Sequence, residues 1–149
     1  MIHQTLVRLV HDHLDPIATR TIQTIQQDDH LGSVRRLPEW ELRDWAKDVL
    51  RSLIDWPVQE DDRELSERYQ ALGRRRFQDS IPLQEAIRRL HHLKWAVMNW
   101  VRDHSFPQSS ADLYALEEFE HHVCVFIDYL VYYVACGYEE ARQKTLLTA

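Results

Sequence analysis

Apolar side chains recur along most of this chain at intervals of three and four residues, the spacing that lines one face of an α-helix. Leu42, Trp45, Ala46, Val49, Leu53 and Trp56 make one such stripe, Leu65, Tyr69 and Leu72 a second, and Leu83, Ile87, Leu90, Val97 and Val101 a third. Pro16, Pro38, Pro57, Pro82 and Pro107 each precede a helical stretch, the placement expected of a residue accepted in a first turn and excluded from an interior. The pattern predicts about six helices, over residues 3–14, 16–29, 38–55, 60–79, 82–104 and 110–146, with short connections and no strands. Ser80 is the expected N-cap of the fifth helix. Glu60, Asp61 and Asp62 at the start of the fourth, and Arg74, Arg75 and Arg76 near its end, suit the helix dipole. The expected fold is therefore an all-α, single-domain bundle with a long C-terminal helix.

That last helix carries two stripes. Leu116, Phe119, Val123, Phe126, Ile127, Leu130 and Val134 form the core-facing one, and Val125, Tyr129, Tyr132 and Cys136 form another on the opposite side. A second apolar face must be covered by more of the chain or by a partner. These four residues are read as a homodimer interface, with Trp95 joining Tyr129 and Tyr132 at its edge. After Gly137 the sequence turns charged, so residues 1–137 read as the core and 138–149 as a helical linker or tail.

Composition narrows the function classes. With 149 residues and 44% hydrophobic content the chain can bury one core without staples. A net charge of -6 opposes general affinity for nucleic acid or anionic lipid, and Arg35 with Arg36, Arg74 to Arg76, and Arg88 with Arg89 read as solvated helix faces. The most hydrophobic run, Val123 to Tyr138, is too short to span a bilayer and contains Asp128, so no membrane role is expected. Cys124 and Cys136 on one helix stand about 18 Å apart and cannot bridge each other, which with the absence of a secretory signal points to the cytoplasm.

The nine histidines are the remaining chemistry. Glu118 and His121 form a single Glu-x-x-His, whereas a di-iron bundle needs two. No phosphate loop, nucleophile elbow, Cys-x-x-Cys or zinc-protease motif is present, so the reading is non-catalytic, with no metal site and no resident cofactor. His91 lies at the edge of an apolar stripe while His92 points roughly opposite. His91, Trp100 and His122 are the residues that would hold haem or another small apolar ligand between the fifth and sixth helices, the alternative reading.

The run LGRRRFQDSIPLQEAIRRLHHLKWAVMNWVRD (72–103), with WAKDVLRSLIDWP (45–57) and VYYVACGYEEAR (131–142), resembles the N-terminal domain of RsbRD-type RsbT co-antagonists. Ile81, Pro82, Leu83, Glu85, Leu90, His91, Tyr132, Tyr133 and Gly137 carry the likeness. The resemblance implies an all-helical, globin-like sensory domain that binds no haem, forms dimers, and acts in stressosome signalling ahead of an output domain or downstream signalling protein. The expected function is a sensor or scaffold that homodimerises and relays a signal through its C-terminal helix.

Overall fold

The computed structural model describes residues 4–56 and 62–148. They form α1 (Gln4–His11), α2 (Leu14–Gln26), a 3-10 turn (Val34–Arg36), α3 (Glu39–Asp55), α4 (Arg63–Gln78), α5 (Leu83–His104) and α6 (Ser110–Thr148), with no strand among the described residues. The expected six-helix bundle is what the chain builds. Prolines mark the boundaries: Pro16 lies in the first turn of α2, and Pro38 and Pro82 are the N-caps of α3 and α5. Glu60 and Asp61 lie outside the described residues, and α4 begins after Asp62.

The most extensive pairing is α4 against α6, and α5 packs on α6 and α2, which in turn packs on α3. The predicted stripes meet in one core, where Ile17, Ile25, Leu42, Leu50, Leu90, Leu93, Phe119, Phe126 and Leu130 are fully buried. Each such side chain contributes roughly 1.5–3 kcal/mol on leaving water. The α4–α6 crossing is set by two glycines. A Cβ on Gly73 would collide with the Val134 carbonyl oxygen, and one on Gly137 with the backbone of Gln70, so the two helices touch backbone to backbone.

Three expectations need correction. The connection from α2 to α3 is not short: α2 stops at Gln26, and residues 27–38 form a loop whose Leu31 and Val34 are driven into the core. Ser80 does not cap α5. It adopts φ 60° and ends α4 instead, its N–H donating to the Phe77 carbonyl (3.0 Å) while the Ile81 N–H donates to that of Arg76 (3.0 Å), a Schellman arrangement. Finally, Arg76 and Arg89 are not solvated. Both are buried, Arg89 with its guanidinium carbon 4.2 Å from the centroid of the Trp45 ring.

Candidate functional site

The outer face of α6 is where the sequence placed an interface. Tyr129 and Tyr132 are 42% and 64% exposed, and Val125 and Cys136 are half-buried, while Phe126, Leu130, Tyr133 and Val134 point into the core. Helical geometry alone separates the two sets, since the apolar residues exceed what one face can bury. The Tyr132 hydroxyl bonds the Cys136 side chain, which holds the phenol pKa above its ordinary value. Helix α5 packs on α6 and carries the exposed Trp95.

Trp56, at the end of α3, connects the face to the interior. Its ring packs against His122 (5.0 Å), Phe126 (5.3 Å) and Tyr129 (5.8 Å between centroids), and its Nε1–H donates to Asp62 Oδ1 at 3.0 Å. The Tyr133 hydroxyl donates to the other oxygen of Asp62 at 3.4 Å. Asp62 thus holds the start of α4 to both α3 and α6. It is the start of a helix whose sequence signature was three acids, of which only this one lies among the described residues.

A second polar junction went unseen in the sequence. Asp28, in the α2–α3 loop and 9% exposed, accepts from Arg88 Nε, from His92 Nε2 at 2.7 Å and from the His30 backbone N–H at 2.9 Å. The Arg88 hydrogen bond above all, then those of His92 and the His30 backbone, hold its carboxyl well below the usual range against the effect of burial. One turn earlier on α5, the buried Glu85 accepts the backbone N–H groups of Ser33 (2.8 Å) and Val34 (3.1 Å). Glu85, Arg88 and His92 share one face of α5 and anchor the whole loop. The only sequence signal was their i, i+3, i+7 spacing. His30, Arg88, His91, His92 and Trp95 open onto a cleft of about 690 Å³ beside it.

The three residues proposed for a ligand are not brought together in one cavity. His91 lines that cleft, where burial lowers its pKa. Trp100 lies two and a half turns further along α5, between His104, stacked at 3.8 Å, and His13 at 5.4 Å. His122 is buried against Trp56 with the Leu53 backbone as hydrogen-bond partner, and burial lowers its pKa. Among the described residues no cluster of His, Cys, Asp and Glu is arranged to hold a metal ion. No helix among them is long and apolar enough to cross a membrane.

The sequence model of one domain family, the RsbT co-antagonist protein rsbRD N-terminal domain, matches residues 15–148. No curated protein and no solved structure matches the chain.

Proposed function

Because the chain belongs to the RsbT co-antagonist protein rsbRD N-terminal domain family, a family of stressosome-related signal-transduction domains, we propose that it works as a non-catalytic cytoplasmic sensor or scaffold. In this reading it homodimerises through Val125, Tyr129, Tyr132 and Cys136, with Trp95 at the rim, and relays a signal along α6 to an output domain or signalling protein. The observation that carries the reading is the outer face of α6, where the fold leaves Tyr129 and Tyr132 exposed and covers Val125 and Cys136 only in part. A two-fold axis along such a row buries the same residues from both copies, which is how a self-complementary interface arises. The helix also runs 39 residues without a break, from that face to its C-terminal end.

The Tyr129→Glu, Tyr132→Glu double variant tests it. Light scattering behind size exclusion should give about twice the 17.9 kDa chain mass for the parent chain and one chain mass for the variant. The same mass for both would remove this face from consideration.

A further inference from the structure

Two arginines and a tryptophan are buried around one cleft in a way their own chemistry does not explain. The cleft, of about 260 Å³, lies between α3, α4 and α5, and Trp45, Arg76 and Arg89 line it. Arg89 is 2% exposed, and its guanidinium stacks on the Trp45 ring, with the guanidinium carbon 4.2 Å from the ring centroid. Burial and the neighbouring Arg76 charge pull its pKa down to about 9, and Glu41 opposes them, so it remains a cation at neutral pH. Arg76, 5% exposed, reaches Asp79 through Nη2 at 3.2 Å, but its Nε is buried without an acceptor. So is Nε1 of Trp45.

The walls therefore hold two buried donors, Arg76 Nε and Trp45 Nε1, that no acceptor meets, beside the Arg89 guanidinium. A buried donor without an acceptor carries its desolvation cost, and folds normally satisfy it. We propose that this cleft binds a small oxyanion, a carboxylate or phosphate group, received by Arg89, Arg76 and Trp45. Planar guanidinium groups suit such an acceptor because they donate two parallel bonds. Glu41, Asp44 and Asp48 also line the cleft and oppose any anion there, a repulsion that grows with the occupant's charge and so favours a small solute of low charge. Arg76 lies one turn beyond Gly73 on α4, so an occupant would act on the helix that α6 crosses. The inference rests on the cleft alone and does not require the α6 interface.

Titration of the chain with sodium acetate and with sodium phosphate, each against sodium chloride at matched ionic strength, tests it. The readouts are the melting temperature and the Trp45 indole N–H resonance. A saturable rise of about 4 °C at ten times the half-saturating concentration, with a shift of that resonance, is expected from one of the two anions. Acetate as the active one identifies a carboxylate ligand, phosphate a phosphoryl ligand. Arg89→Met, which replaces a buried charge by an apolar side chain of similar length, should abolish the response. Trp45→Phe keeps the ring and removes one donor, and should weaken the half-saturating concentration several-fold, whether or not Arg89→Met folds. No saturable response to either anion, or an unchanged response in the variants, overturns the proposal.

Discussion

Asp28 shows how much of the fold rests on single polar residues. Its carboxyl joins a loop to two side chains of α5 that lie 60 and 64 residues away in sequence. A group whose folded pKa lies below its unfolded value of 3.8 stabilises the fold above about pH 4, and that contribution disappears as the pH falls further. Asp28→Asn should therefore cost about 2 kcal/mol at pH 7, a cost that begins to shrink below about pH 4 and is mostly gone only where the carboxyl protonates in the folded state, well below the usual carboxylate range. Urea unfolding at about pH 7 and about pH 2 checks this; an equal cost at both would deny the charge its role. Ser80 makes the opposite case, a residue the fold tolerates at a cost. A non-glycine side chain in the left-handed region is strained, so Ser80→Gly should stabilise the domain by about 0.5–1 kcal/mol in the same assay.

At the scale of helices, the sequence announced what depends on local periodicity and concealed what depends on distant partners. The stripes of α3, α5 and α6 were legible because burial repeats every 3.6 residues, and prolines marked where helices begin. The 27–38 loop was not legible as an ordered element. Its order comes from Glu85, Arg88 and His92, whose polar spacing also suits an exposed helix face. Arg76 and Arg89 misled for the same reason: an arginine beside other arginines reads as solvated until the packing of α3 against α4 and α5 encloses it. The candidate interface on α6 was visible in four residues because an excess of apolar surface is a local property, whereas Asp28 looked like one loop acid among several. The α4–α6 crossing gives a sharp test. Gly137→Ala places a methyl group into the Gln70 backbone, which no side-chain rotation relieves, and should cost about 3 kcal/mol in chemical denaturation.

The whole molecule is one bundle whose longest helix serves two purposes. Past Gly137, α6 stays attached to α4 for another turn: Tyr138 packs on Phe77 with ring centroids 5.3 Å apart, and Glu140 pairs with Arg74 at 3.4 Å. From Arg142 onward its residues are exposed. A chain ending at Lys144 should melt at the temperature of the parent, and one ending at Gly137 several degrees lower, because only the second loses packing against α4. Equal melting temperatures for the two would place the end of the folded unit at Gly137.

The glycine crossing also governs how α6 can move. Side chains on either side of Gly73 and Gly137 would be driven into the opposing backbone if one helix slid along the other by a residue, about 1.5 Å. Tilting about that point is opposed by the core itself, since Phe119, Val123, Phe126, Ile127 and Leu130 are buried along the same helix, so the glycines hold the axial register of α6 and the core holds its direction. The arm from Ser110 to Gly137 is about 40 Å long and clamped along much of its length, whereas the arm from Gly137 to Thr148 is about 16 Å long and held only by its first turn, so any displacement of the core end is carried rigidly out to a free tip.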